Sequence, residues 1–95
     1  MSTNVDRLSA AVYGRVQGVS FRYYSRLEAL RLGVHGWVRN EPDGSVRVMA
    51  EGDKENLEYL LVYLKHGPIG ALVQQVNVEW SFGPSEYKDF EIRWR

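Results

Sequence analysis

The chain has 95 residues, with 12 Lys and Arg balancing 12 Asp and Glu, 44% hydrophobic residues and no cysteine. That length suits a single domain with one core, and the zero net charge argues against the basic face of a general nucleic-acid binder. The missing cysteines exclude disulfides, thiolate–zinc sites and a cysteine nucleophile. No apolar run approaches the roughly 20 residues needed to span a bilayer. The polar opening Met1-Ser2-Thr3-Asn4-Val5-Asp6 lacks the apolar segment of a secretory signal. The expectation is a cytoplasmic monomer, with a flexible segment over 1–6 and a single domain over 7–95.

Leu8, Ala10 and Val12 alternate with Ser9, Ala11 and Tyr13, the period of a strand over 7–13. A loop with two glycines follows, then a helix over 21–32. The helix's apolar arc (Tyr23, Tyr24, Leu27, Leu30) is interrupted by Glu28 and Arg31, and Gly33 stands at its C-terminal glycine position. A second strand is read over 36–40, a turn at Pro42-Asp43-Gly44, and a third strand in which Val46, Val48 and Ala50 alternate with Arg47, Met49 and Glu51. Asp53 is a good N-cap for a second helix, whose Leu57, Leu60, Leu61 and Leu64 fall at i, i+3, i+4 and i+7. Gly67-Pro68 ends it. Val76, Val78 and Trp80 make a fourth strand. Beyond Gly83-Pro84, Phe90, Ile92 and Trp94 alternate in a short fifth. The order βαββαβ plus a final strand predicts an α+β, ferredoxin-like sandwich, with both helices on one face of an antiparallel sheet.

The chemistry gathers in the 14–20 loop, Gly14-Arg15-Val16-Gln17-Gly18-Val19-Ser20, which leads through Phe21 to Arg22. Glycine lets backbone N–H groups approach a ligand closely, a helix N-terminus favours an anion, and arginine matches two phosphate oxygens with one planar fork. Residues 7–27 hold Arg7, Arg15, Arg22 and Arg26 and no acidic residue, a local anion trap in a neutral chain. The competing reading is a tight strand-to-helix connection whose glycines serve only the turn. The lysine and Ser/Thr of a P-loop are missing, so nucleotide and magnesium binding gain no support. Arg22 in a first helical turn is opposed by the helix dipole, by a few tenths of a kcal/mol, and a locally unfavourable residue there suggests function. Arg26, one turn later, reads as a surface or long-range charge.

Asn40 precedes a turn, where asparagine serves local hydrogen bonding; alternation puts it on the face of Val38, away from Trp37. His35 and His66 have no carboxylates at ligand spacing, so no metal site is expected. Met49 and the tryptophans read as packing residues. Tyr13, Phe21 and Tyr24 are near enough to line a pocket and are assigned no chemistry.

The run from Val12 to Arg22 resembles the first signature of the acylphosphatase family, small hydrolases of acyl phosphates. Gly36-Trp37-Val38-Arg39-Asn40, followed by Gly44, Val46 and Gly52, resembles its second signature. The likeness runs from about residue 7 to the C-terminus. It implies hydrolysis of a carboxyl–phosphate anhydride without metal or cofactor. By the same resemblance, Arg22 is the phosphate-binding catalytic arginine, the amides of Gly14, Arg15, Val16, Gln17, Gly18, Val19 and Ser20 cradle the phosphoryl oxygens, and Asn40 holds the attacking water. Inorganic phosphate is then both product and competitive inhibitor. Glu41 departs from the threonine of some relatives and is expected to face solvent. In some relatives a terminal aromatic carboxylate pairs with the catalytic arginine; Arg95 extends this chain one residue further, so that pairing is not expected. Two rivals remain from the residues: a regulatory domain that binds phosphorylated ligands without catalysis, and an RNA-binding sandwich of the same topology.

Overall fold

The longest continuous pairing in the molecule is that of β1 (Asn4–Arg15) with β4 (Leu72–Pro84), and the sheet is built outward from it. The structure is a computed structural model, and it describes residues 3–94. The other strands are β2 (His35–Asn40), β3 (Val46–Gly52) and β5 (Phe90–Arg93), with helices α1 (Phe21–Leu32) and α2 (Lys54–His66). The sheet order is β4-β1-β3-β2-β5. The β1/β3, β1/β4 and β2/β3 pairs are antiparallel, but β5 runs parallel to β2, so the expected antiparallel sheet is in fact mixed. The cause is topological. After β4 at one edge the chain crosses to the opposite edge and enters beside β2 in the same direction.

Several strand boundaries differ from the sequence reading. β1 begins at Asn4, because Asn4, Val5 and Asp6 pair with Pro84, Gly83 and Phe82. Residues 4–6 are therefore part of the β1 strand, while Met1 and Ser2 lie outside the described residues. β4 likewise extends through Gly83-Pro84, which an edge strand tolerates since its outer side needs no donor.

Both helices cover one face of the sheet. Alternation points Leu8, Ala10, Val12, Val38, Val46, Val48 and Ala50 toward them, all fully buried. From α2 come Leu57, Leu60 and Leu64. The α1 contribution corrects the expected arc: its buried stripe is Phe21, Ser25 and Ala29, whereas Tyr23, Tyr24, Leu27 and Leu30 are 41–52% exposed. Small residues let α1 approach the sheet closely, and its bulky apolar side chains are left outward. Asp53 occupies the N-cap of α2 without a side-chain cap bond, and Gly33 closes α1 in the left-handed region at φ 70°.

At the end of the sheet where β1 begins, a buried knot fastens the β4–β5 connection. Glu51 Oε2 accepts from Arg7 Nη2 at 2.7 Å. Its Oε1 accepts from Ser85 Oγ at 2.9 Å and from the Glu86 and Tyr87 amides at 2.8 and 2.7 Å. Burial pushes the Glu51 carboxyl up, but Arg7 and these donors outweigh it and hold it below the usual carboxylate range. On the outer face Trp37 is flanked by the Arg39 and Arg93 guanidiniums, 4.7 and 5.0 Å from its ring, and donates to the Tyr87 hydroxyl. No helix among the described residues is long and apolar enough to cross a membrane.

Candidate active site

At the other end of the sheet β1 breaks register with β4 between Tyr13 and Gly14, and the chain turns toward α1. Gly14 is required by strand packing: its φ is 129°, and a Cβ there would lie 2.1 Å from the Leu72 carbonyl oxygen. Gly18 has φ 75° and open space around it. Ser20, the N-cap of α1, sits at φ 59°, the left-handed region, and is the only non-glycine with positive φ among the described residues. Its hydroxyl makes no cap to the helix. A serine in that region is uncommon and is held there by its surroundings.

The loop opens onto a cleft of about 440 Å³ lined by Val16, Gly18, Ser20, Phe21, Arg22, Tyr23, Asn40, Ile92 and Trp94. Arg22 and Asn40, 18 positions apart in sequence, thus share one hollow. Strand alternation carries Asn40 there, since it follows buried Val38 on the helix-facing side of β2. Among the described residues, neither the Arg22 guanidinium nor the Asn40 carboxamide has a hydrogen-bond or ion-pair partner. The other loop positions are used differently. Gly14 and Arg15 belong to β1, and Val19 lines a neighbouring groove. Gln17 turns away and donates from Nε2 to the carbonyls of Glu41 at 2.8 Å and Ser45 at 2.9 Å.

That glutamine ties the glycine loop to the turn that follows Asn40. The turn closes on itself through Glu41 N–H to Ser45 O at 2.9 Å and through the Asp43 carboxylate, which accepts from the Ser45 amide and hydroxyl. Glu41 does not simply face solvent: its Oε1 accepts from Arg39 Nε at 2.9 Å and Nη2 at 2.8 Å, so its charge is compensated beside the cleft. Arg26 Nε donates to the Phe90 carbonyl at 2.9 Å and pins β5 to α1, a structural tie in place of the surface charge expected.

Trp94 corrects the reading of the tryptophans as packing residues. The Arg22 guanidinium lies 4.1 Å from its ring centroid, while the indole is 76% exposed. Such a stack orients a cation without neutralising it. A signal was present in the alternation of Phe90, Ile92 and Trp94; the missing piece was the parallel register, which pairs Val38 with Ile92 and ends at Arg39 with Arg93, so that Trp94 emerges at the cleft that Asn40 lines. Of the aromatics named for a pocket, Phe21 lines the cleft, Tyr24 lines the groove next to it, and Tyr13 lies on the outer face of the sheet. Arg95 lies outside the described residues. No group of three or more His, Cys, Asp or Glu that could hold a metal occurs among the described residues.

A cleft of this kind offers an anion a fixed cation, a helix N-terminus and loop backbone, with one amide side chain beside it. Comparison with known proteins points the same way. The acylphosphatase family model matches residues 8–92. An acylphosphatase of Salinibacter ruber is 49% identical over 98% of this chain and 99% of its own length. One of Thermococcus kodakarensis is 51% identical over 90% of this chain and 93% of its own. The crystal structure of acylphosphatase from Bacillus subtilis superposes with a TM-score of 0.91 at 34% identity, covering 94% of this chain and 99% of that one.

Proposed function

Because the chain belongs to the acylphosphatase family and is a hydrolase of acyl phosphates, we propose that the Arg22 cleft is its catalytic centre, with binding and water positioning divided between two side chains. Arg22 and the loop amides hold the phosphoryl oxygens, and Asn40 holds a water in line with the scissile P–O bond. The water oxygen bonds to phosphorus as the P–O bond to the acyl group breaks. The bonding pair leaves with the carboxylate, and a water proton passes to a phosphoryl oxygen. Phosphoryl transfer needs mostly positioning and charge stabilisation, which this small set of groups supplies.

The leaving group accounts for the absence of a general acid from this scheme. A carboxylic acid has a pKa of about 4–5, so its conjugate base departs without a proton. The scheme needs no metal, because a guanidinium and backbone dipoles stabilise the developing charge. Inorganic phosphate, the product, competes for the same cradle. A monomer working in the cytoplasm is the companion proposal.

One observation carries the proposal: Arg22 and Asn40 line a single cleft with Gly18 and Ser20. A rival that merely binds anions has no use for the amide, so Asn40 discriminates. Phosphate release from a synthetic aroyl phosphate tests it. Asn40→Ala should lower kcat by about 10²-fold or more while inorganic phosphate inhibits as before, and a strong chelator should leave the wild type unchanged. A loss below tenfold would remove Asn40 from the mechanism, and loss of activity on chelation would require a metal.

A further inference from the structure

We propose that a neutral, apolar groove beside the loop is the subsite for the acyl part of the substrate, and that it favours apolar and above all aromatic acyl groups. The inference rests on the phosphoryl site described above and adds a direction to it. In-line displacement puts the entering and leaving oxygens on opposite sides of phosphorus. Asn40, which holds the entering water, stands at the end of β2. The sheet order β4-β1-β3-β2-β5 sets β2 and β4 on opposite sides of β1, from whose end the loop departs. A phosphoryl group at Gly18 and Ser20, attacked from the β2 side, therefore releases its acyl oxygen toward the start of β4.

That side carries a groove of about 580 Å³, lined by Val19, Tyr24, Tyr63, Pro68 and Ile69 and meeting the catalytic cleft at Ser20. It lies between α1, α2 and the connection from α2 to β4. No charged side chain lines it. Ile69 is fully exposed and Tyr24 is 46% exposed, so the fold leaves this apolar surface unused. Its floor is continuous with the loop, since a Cβ at Gly70 would touch Val19 Cγ1 at 4.0 Å. A substrate with its phosphoryl group in the cleft places its hydrocarbon here and keeps its carboxyl oxygens at the mouth beside Ser20, whose hydroxyl is not engaged in capping α1. Burial of a ring against two tyrosines and an isoleucine favours aroyl over acetyl substrates.

The test compares kcat/KM for benzoyl phosphate and acetyl phosphate in the wild type, in the double variant Tyr24→Ser, Ile69→Ser, and in Arg22→Ala. Taking the benzoyl-to-acetyl ratio relative to wild type cancels the intrinsic reactivity of the two anhydrides. The double variant should lower that ratio about tenfold by losing apolar contact, with acetyl phosphate turnover essentially retained. An unchanged ratio, or an equal fall for both substrates, overturns the groove as the acyl subsite. Should the double variant melt early, Ile69→Ser alone carries the same comparison, since that side chain packs against nothing that holds the fold. Arg22→Ala separates the two levels: it should lose both substrates alike, and if it keeps both, the phosphoryl-site reading fails whatever the ratio shows.

Discussion

The two ends of the sheet each hold an arginine, and the surroundings of the two differ in kind. At the end where β1 begins, the Arg7 guanidinium meets Glu51 at 2.7 Å and Glu86 at 3.2 Å, and Glu51 spends its remaining capacity on Ser85, Glu86 and Tyr87. At the end where β1 stops, Arg22 meets the face of Trp94 and no carboxylate among the described residues. A charge paired with carboxylates of its own chain holds the chain together. A charge held in place but not neutralised keeps its field for a ligand, and the cleft around it has room for one.

The largest test of this contrast exchanges function for stability. Arg22→Ala should lower kcat/KM about 10³-fold or more, the scale of an arginine in phosphoryl transfer, with urea unfolding nearly unchanged. A tenfold loss or less would make Arg22 a second structural arginine. The converse variant, Glu51→Gln, leaves Arg7 with only the exposed Glu86 as counter-charge and should cost about 2 kcal/mol in urea unfolding, while kcat of the folded enzyme changes little. If Glu51→Gln lost activity but not stability, the two ends would have been assigned the wrong way round.

Acid should also weaken the Arg7 end through Glu51. The Glu51 carboxyl lies below its ordinary range when folded. Its contribution is therefore complete above the unfolded value of about 4.3 and is lost as pH falls through the lower folded value. Thermal melts from pH 6 downward should show the wild type losing stability below about pH 4 more steeply than Glu51→Gln. Parallel curves would exclude Glu51 as the source. The smallest expected effect belongs to Trp94→Ala. Loss of a mostly exposed cation–π stack, about 0.5–1 kcal/mol, should lower kcat/KM only a few-fold; a thousandfold loss would place Trp94 in the chemistry itself.

Most of the fold was legible because its signals are local. The leucine spacing of α2, the glycine after α1 and the alternation of β1 and β3 each follow from a period or a turn residue. What escaped was set by distant partners. The parallel direction of β5 depends on where the chain re-enters the sheet. The buried face of α1 depends on how closely Ser25 and Ala29 let it approach, which no apolar count reveals. For the site, the glycines, Arg22 and Asn40 stood out by residue type and by resemblance. The side chains of Gln17 and Trp94 did not, since their roles arise from carbonyls 24 and 28 positions away and from a strand register.

The most direct measurement is an NMR titration of the labelled protein with inorganic phosphate. The largest shifts should fall on the amides of Gly18 and Ser20, on the Arg22 side chain and on the Asn40 carboxamide, with the Arg7 and Glu51 end silent. Shifts scattered over the surface, or concentrated at Arg7, would contradict the assignment of the cleft as the place where phosphate is held and released.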